Sequence, residues 1–246
     1  MTLHLVEIPL ILKRLHQWAA AREGGQGGEF DEGRALHHLL GEVFGPGALQ
    51  PFRLLVAPRG EHGTLYAYSG HTADALRGVA ESVAGPSELA ALPLARLRSC
   101  PRPPATWREG LRLGFDLRVR PVVRLLKAIE GPESRFGKGA EVDAFLPQAL
   151  RDGETCSRED VYLAWLEARL QGTARLERGS TRLAAFRRTR VQRGGRRIEG
   201  PDAVFHGTLN VQDPAGFAQL LARGVGRHRA YGYGMLLLRP PQRRPG

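Results

Sequence analysis

Near its end the chain carries a twelve-residue segment that mixes glycine with basic side chains. The segment reads Gly224-Val225-Gly226-Arg227-His228-Arg229-Ala230-Tyr231-Gly232-Tyr233-Gly234-Met235. Glycine lets a backbone come close to a partner, and backbone N–H groups beside fixed cations suit a phosphate chain. Helix capping accounts for one glycine, at position 224, but not for four. We therefore predict a loop that binds an anionic, phosphate-bearing ligand through Gly224, Gly226, Arg227, His228, Arg229, Gly232 and Gly234.

The spacing of these residues excludes two familiar nucleotide-binding motifs. The dinucleotide fingerprint needs glycine at position 229, where this chain has Arg229. The G-x-x-x-x-G-K pattern of a P-loop is one residue shorter than the interval from Gly131 to Gly137-Lys138. We expect no nucleotide cofactor at this loop.

A second basic feature is a run of six arginines with no acidic residue among them: Arg187, Arg188, Arg190, Arg193, Arg196 and Arg197. On a β-ribbon, Arg188 and Arg190 share one face and Arg187 points to the other. An arginine-tipped hairpin can enter a nucleic-acid groove and contact phosphates, although an ordinary solvated hairpin tip also tolerates cations. We predict contact with RNA or DNA. Aromatic stacking signatures of the RRM type are not evident.

The third feature is a histidine pair on a short predicted helix. Its apolar side holds Leu36, Leu39, Leu40 and Val43. The opposite side of this helix, which faces away from the core, carries Arg34, either His37 or His38, and Gly41 at helical spacing. A histidine pair on a helix is more often a surface feature than a catalyst, and it gains meaning only if the helix faces the glycine loop. The other histidines, among them His62, His71 and His206, form no recognisable metal-ligand set.

Charge is distributed unevenly along the 246 residues, whose formal net charge is +11. Residues 1–100 carry 9 Lys/Arg and 10 Asp/Glu, whereas residues 101–246 carry 27 and 15. Nearly all the cations are arginine, which suits bidentate phosphate contacts better than lysine. High genomic GC content also enriches arginine, so the asymmetry between the halves is the better indication, and it favours nucleic acid as the partner.

No apolar run approaches the length of a membrane span, and the first residues lack the cationic start of a secretory signal. Cys100 and Cys156 fit no metal-ligand spacing. We expect two free thiols in the reducing cytoplasm and no membrane partner.

Two series of elements are predicted, separated by Pro101-Arg102-Pro103-Pro104. The first has strands at 3–10, 52–57, 64–69 and somewhere within 92–97, one or two helical turns at 12–22, and helices at 31–44 and 72–83. The second has strands at 111–119, 176–191, 203–211 and 235–238, a polar loop at 134–139, and helices beginning after Ser157 and Asp213. Each order is β-α-β-β-α-β. We predict an α+β chain of two tandem ferredoxin-like halves, residues 1–103 and 104–246.

Several of these segments together resemble a known family. The pattern Gly224-Val225-Gly226-x-x-Arg229-x-x-Gly232-x-Gly234, followed by Met-Leu-Leu-Leu, is similar to the C-terminal glycine-rich loop of the CRISPR-associated repeat-RNA endoribonucleases of the RAMP superfamily, of the CasE type that serves Cascade. Support comes from the helix Ala35-Leu36-His37-His38-Leu39-Leu40 and from the segments 116–121 and 164–170. Together these segments extend over most of the chain.

The resemblance implies a metal-independent ribonuclease that cuts precursor CRISPR RNA at the base of each repeat hairpin and needs no cofactor. A 2′-hydroxyl attacks the phosphate, and the mature guide RNA is retained for the protein subunits of Cascade. His37 matches the catalytic histidine, and Arg229 matches a basic loop position. Arg34 stands where some members have tyrosine; an arginine cannot relay a proton near neutral pH, but it can stabilise developing charge. His38 is the rival base and His228 a lesser one.

Two alternatives remain open at this point. The first is a non-catalytic subunit of a CRISPR ribonucleoprotein that binds an RNA hairpin with the same loop and arginines. The second is a small-molecule enzyme of ferredoxin-like fold, which the positive charge and the absent cofactor motifs disfavour.

Overall fold

The computed structural model describes residues 2–22, 30–131, 134–193 and 196–241. The elements of its first half are β1 (Leu3–Ile11), α1 (Leu12–Arg22), α2 (Glu32–Phe44), β2 (Phe52–Val56), β3 (His62–Ser69), α3 (Ala73–Val83), α4 (Pro86–Ala91) and β4 (Arg98–Arg102). The four strands form an antiparallel sheet in the order β2-β3-β1-β4. This is the strand order of a ferredoxin-like unit, as the sequence predicts.

Both faces of this first sheet are covered. Val6, Ile8 and Leu10 alternate along β1 and are fully buried in the core that the helices close, because successive side chains of a strand point to opposite faces. Leu3 and Leu5 pack instead against the core of the second half. The first sheet is therefore a layer between its own helices and the second half.

The elements of the second half are β5 (Arg112–Val119), β6 (Val122–Arg124), β7 (Ile129–Gly131), β8 (Ser134–Phe136), β9 (Glu141–Asp143), α5 (Phe145–Asp152), α6 (Arg158–Leu170), β10 (Ala174–Leu176), β11 (Arg182–Arg193), β12 (Arg196–Val211), α7 (Pro214–Arg223) and β13 (Leu236–Arg239). The main sheet runs β10-β12-β5-β13, with β11 also paired to β12. Because β10 and β11 together occupy one strand position, this sheet repeats the ferredoxin-like order. The predicted α+β architecture of two tandem ferredoxin-like halves is confirmed.

The two halves are joined through buried polar contacts as well as apolar ones. The Tyr68 hydroxyl of β3 donates to the Leu236 carbonyl of β13 at 3.1 Å. Arg53 of β2 lies 3.4 Å from the Asp116 carboxylate of β5, and both side chains are almost fully buried. Asp116 also accepts a hydrogen bond from Arg239 and contacts His206, each at 2.9 Å. The contacts of Tyr68 and Arg53 thus fix the first half against the second, and Arg239 and His206 hold Asp116 in place within the second half.

In the first half, the predicted last strand and the predicted length of α1 were wrong. Residues 94–96 form a 3₁₀ turn, and the strand begins at Arg98. Leu92, Leu94 and Leu97 are buried, but in the core beneath the turn rather than in the sheet. The segment 12–22 is a complete helix of 11 residues. The predicted loop at 23–29 lies outside the described residues.

In the second half, the sequence missed an insertion between β5 and α6. Here β6 pairs with β9 and β7 pairs with β8, where only a polar loop was predicted at 134–139. A 3₁₀ turn at Arg178–Ser180 divides the predicted strand 176–191 into β10 and β11. Strand β12 begins at Arg196, ahead of its predicted start at 203, so the arginine hairpin is longer than expected.

The border at residues 103 and 104 remains a prediction. It falls between the last strand of the first sheet and the first strand of the second. No helix in the described ranges has the length and apolar character needed to cross a membrane.

Candidate active site

The glycine loop lies directly against helix α2. The ring of Tyr231, in the loop's 3₁₀ turn Arg229–Tyr231, packs on the His37 imidazole with 5.1 Å between ring centroids. One turn earlier in α2, Gly33 lies so close to the Tyr231 carbonyl that a Cβ there would be 2.6 Å from its oxygen. Helix α2 and the glycine loop, which are far apart in the sequence, are thus in contact. The interpretation of the histidine pair as catalytic required this contact.

Helix α2 is positioned by its own sequence. Asp31 caps it, its carboxylate accepting from the Arg34 N–H at 3.0 Å. Leu36, Leu39 and Val43 recur at helical spacing and are buried in the first core. The opposite side therefore faces outward: Arg34 and His37 are half-buried, and His38 is exposed. Both imidazoles line the same cleft.

The loop's conformation depends on its glycines in a way that the sequence did not predict. Gly224, Gly226, Gly232 and Gly234 have φ between 77° and 81°, and a Cβ on Gly234 would strike the Val225 carbonyl. The N–H groups of Gly224 and Gly234 donate to backbone carbonyls, those of Leu220 and Arg118. The expectation of free N–H groups for phosphate is therefore wrong at these two positions. Gly224 and Gly234 therefore shape the loop rather than supply donors.

Two of the loop's predicted RNA-binding cations are directed at a carboxylate of the inserted strand β9. Glu141 contacts Arg227 at 2.6 Å and His228 at 2.7 Å. The hydrogen bond with His228, followed by the charge of Arg227, holds the pKa of Glu141 below its ordinary value in spite of partial burial. Arg229 donates to the Arg223 carbonyl at 2.6 Å. The insertion that the sequence missed thus braces the loop.

A cleft of about 240 Å³ opens beside the histidines. His37, His38 and Gly41 form its helical wall, and Ala230 brings the glycine loop to its rim. The segment that follows α2 lines the cleft as well, through Gly45, Pro46, Gly47, Leu49 and Gln50. Gly41 has open space around its Cα, as the sequence prediction of room beside the imidazole requires.

A larger cavity of about 690 Å³ lies on the other side of Tyr231. Its basic lining consists of Arg118, Arg187, Arg188 and Arg190, and its remaining lining includes Asp31, Glu32, Glu199, Tyr231 and Tyr233. Three of the predicted RNA-binding arginines are therefore brought beside α2 and the glycine loop. The side chains of Arg193, Arg196 and Arg197, further out on the same hairpin, lie outside the described residues.

Carboxylates of strand β12 hold these arginines in pairs. Asp202, 2% exposed, binds Arg118 at 2.6 Å and Arg187 at 2.9 Å. Burial alone would lower the pKa of Arg118, but the paired Asp202 raises it above the ordinary value. Arg187 binds Asp202, its direct partner on β12, whereas Arg188 and Arg190 both bind Glu199, so the two sets lie on opposite faces of the ribbon as predicted. Residues from both faces line this one cavity.

Glu199 holds the second pair, lying 3.3 Å from Arg188 and 3.2 Å from Arg190. All three of these side chains remain largely exposed. Exposed ion pairs are weak, so both guanidinium groups can exchange this carboxylate for a phosphate at little cost.

Sequence reasoning missed three residues of this region. Tyr231 and Tyr233 were inside the segment singled out for its glycines, but an aromatic ring between glycines gives no sign of what it packs on. Arg118 alternates with apolar residues along β5 and reads as an ordinary surface arginine. Its guanidinium instead lies 4.7 Å from the centre of the Tyr233 ring and is mostly buried. Within the described residues, no group of three or more His, Cys, Asp or Glu side chains is arranged to hold a metal ion.

Comparison with known proteins places this chain in a family. The family model described as "CRISPR associated protein" matches residues 3–240, nearly the whole chain. This chain belongs to the CRISPR-associated protein family. The match includes α2, the arginine hairpin and the glycine loop together.

One relative is similar to this chain over part of its length. The CRISPR-associated endoribonuclease Cse3 of Thermus thermophilus is 32% identical over 133 residues, which are 54% of this chain and 58% of that protein. The matched region therefore covers little more than half of that relative's length.

Two solved structures share the fold over almost the entire chain. Thermus thermophilus Cse3, bound to an RNA representing a pre-cleavage complex, aligns with 98% of this chain and 100% of its own at a TM-score of 0.63 and 20% identity. A chain of a CRISPR RNA-guided surveillance complex aligns with 96% and 98% at 0.51 and 19%. At these identities the likeness concerns the fold.

Proposed function

We propose that this protein is a metal-independent endoribonuclease that cleaves precursor CRISPR RNA at the base of the repeat hairpin. The observation that carries the proposal is the packing of the glycine loop's Tyr231 on His37. It joins a titratable imidazole to the basic surface on which a polynucleotide backbone is expected. The endoribonuclease name of the Cse3 relative supports the same reaction class.

His37 acts as the general base. An imidazole is the side chain best suited to accept a proton near neutral pH. It is half-buried against the loop, whereas the neighbouring His38 is exposed. Contact with the loop fixes the position of the His37 ring relative to a bound phosphate, and this favours His37 over His38. His228, with its imidazole bound to Glu141, is not placed at the cleft.

The chemical step is a transesterification. His37 takes the proton of the 2′-hydroxyl upstream of the cut, and the 2′ oxygen forms a bond to the adjacent phosphorus. The bond from phosphorus to the 5′ oxygen breaks, and that oxygen leaves with a proton from the medium. The products are a 2′,3′-cyclic phosphate and a 5′-hydroxyl, and no water is consumed.

Cations hold the substrate while this occurs. Arg34, one helical turn before His37, stabilises the charge that develops on the phosphorane. Arg229 lies in the same turn as Tyr231 and binds the RNA backbone. The hairpin arginines, Arg188 and Arg190 in particular, contact phosphates of the RNA stem. A bound stem would thus extend from the 690 Å³ cavity along the arginine hairpin.

After cleavage the guide RNA stays bound and is delivered to the other protein subunits of Cascade. Similarity in fold to a chain of an RNA-guided surveillance complex supports this partner. We place the protein in the cytoplasm, in keeping with its two free cysteines, Cys100 and Cys156.

Mapping the ends of fragments produced from the neighbouring repeat RNA tests the proposal. In the presence of EDTA the protein should still cut the RNA once, at the base of the hairpin. The upstream fragment should end in a cyclic phosphate and the downstream fragment should begin with a 5′-hydroxyl. Tight, salt-dependent binding without any cut would favour the non-catalytic RNA-binding subunit instead.

A further inference from the structure

The 240 Å³ cleft beside His37 differs in character from the cavity on the other side of Tyr231. None of the side chains that line it belongs to lysine or arginine, and Glu42 brings a carboxylate to its edge. Glu42 is itself held by Arg22 of α1 at 2.7 Å. A phosphate group would meet no guanidinium on the lining of this cleft, and Glu42, already paired with Arg22, offers it no positive charge, so the cleft fits an uncharged part of the substrate.

The floor of the cleft is apolar. Leu40, Leu49 and Phe52 line it and are buried, with Phe52 only 1% exposed. An apolar lining bordered by polar side chains suits an unstacked nucleobase, whose faces are apolar and whose edges are read by hydrogen bonds. The wall opposite the histidines carries one carboxamide, that of Gln50.

Gln50 is half-buried, and its carboxamide has no hydrogen-bond partner among the described residues. A carboxamide offers one acceptor and one donor side by side. This pair matches the adjacent donor and acceptor on the edge of adenine, the usual base partner of glutamine. Gln50 is therefore positioned to read a base edge while the ring lies on the apolar floor.

We infer that this cleft is a nucleobase subsite and that Gln50 determines its specificity, favouring adenine in a nucleotide that flanks the scissile phosphate. Adjacent residues of one turn, Ala230 and Tyr231, line the cleft and the arginine cavity respectively. An RNA strand that passes over the contact between Tyr231 and His37 would thus place one base in the cleft. The backbone of the strand would lie toward the arginines. The inference rests on the proposed cleavage reaction.

The test is single-turnover cleavage of repeat hairpins that carry each of the four bases at the nucleotides on either side of the cut. The wild-type protein should favour adenine at one of these positions by roughly 5- to 150-fold, the range expected for one bidentate base contact. Gln50→Ala should cut all four at the rate that the wild type shows for disfavoured bases. Gln50→Glu, an acceptor only, should shift the preference toward cytosine, whose amino group can donate to it.

Gln212→Ala is the matched control, because this exposed glutamine follows β12 at the end remote from the arginine hairpin. It should keep the wild-type preference. An unchanged preference in Gln50→Ala, or equal wild-type rates for all bases at both positions, would overturn the subsite while leaving the ribonuclease proposal intact. Failure of the wild type to cut any repeat RNA would overturn both.

Discussion

Gly33 lies in the first turn of α2 beneath the Tyr231 carbonyl, and its replacement by alanine separates the glycine loop from the helix. An added Cβ would stand 2.6 Å from the carbonyl oxygen, so the loop must retreat by about 0.8 Å to reach an ordinary 3.4 Å contact. Tyr231 moves with its carbonyl, and the His37 ring loses the surface that positions it. Misplacement by about 1 Å at a reacting group can cost on the order of 100-fold in rate.

We therefore expect Gly33→Ala to lower the single-turnover rate of repeat cleavage by about 10- to 100-fold. Overpacking of this kind costs about 1–3 kcal/mol of unfolding free energy, which urea unfolding measures. Gly78→Ala is the control: Gly78 is exposed in the middle of α3 with nothing near its Cα. That change should raise stability by about 0.5–1 kcal/mol and leave cleavage unaltered.

The result that refutes this reasoning is a Gly33→Ala protein that cleaves at the wild-type rate. The packing of loop on helix would then have no part in catalysis. If Gly33→Ala cleaved slowly because part of the protein was unfolded, its urea unfolding curve would show this when compared with that of Gly78→Ala.

Three further outcomes are expected. Arg188→Glu with Arg190→Glu should weaken hairpin binding in gel shifts and lower the salt slope by about 1 for each phosphate that the protein no longer neutralises; unchanged affinity would remove this hairpin from the RNA surface. Asp202→Asn leaves a buried guanidinium uncompensated and should cost about 3–5 kcal/mol in urea unfolding, so an unaltered midpoint would contradict the pairing. Hydrogen bonds from Arg112 lower the pKa of Glu177 from 4.5 to about 2. Its contribution to stability is therefore fully present above pH 4.5 and disappears as pH falls through about 2. Thermal unfolding should show that Glu177→Gln weakens this acid dependence; an identical pH profile would contradict it.

Strands with buried faces could be predicted from the sequence, and strands without them could not. β1 and β5 alternate apolar and polar residues, and their predicted bounds, 3–10 and 111–119, nearly coincide with the observed ones. β4 is an edge strand with mostly exposed residues and a proline at position 101, so no alternation marks it. The apolar residues just before it misled the prediction because they fill the core from a turn.

The site was predictable as parts but not as an arrangement. The histidine pair and the glycine segment are visible as local patterns, whereas their contact depends on how two sheets pack around Tyr68 and Arg53. The bracing carboxylate Glu141 comes from an insertion of three-residue strands, too short for any periodicity to appear. Asp202 reads as a surface acid, although its side chain is nearly inaccessible.

Single-turnover cleavage of a repeat hairpin by His37→Ala, beside wild type and His38→Ala, tests most directly whether His37 is the base that the glycine loop positions. Removal of general base catalysis should slow His37→Ala by about 10²–10⁴-fold with its gel-shift affinity nearly unchanged, while His38→Ala should retain most of the wild-type rate. Cleavage by His37→Ala at the wild-type rate would contradict the assignment.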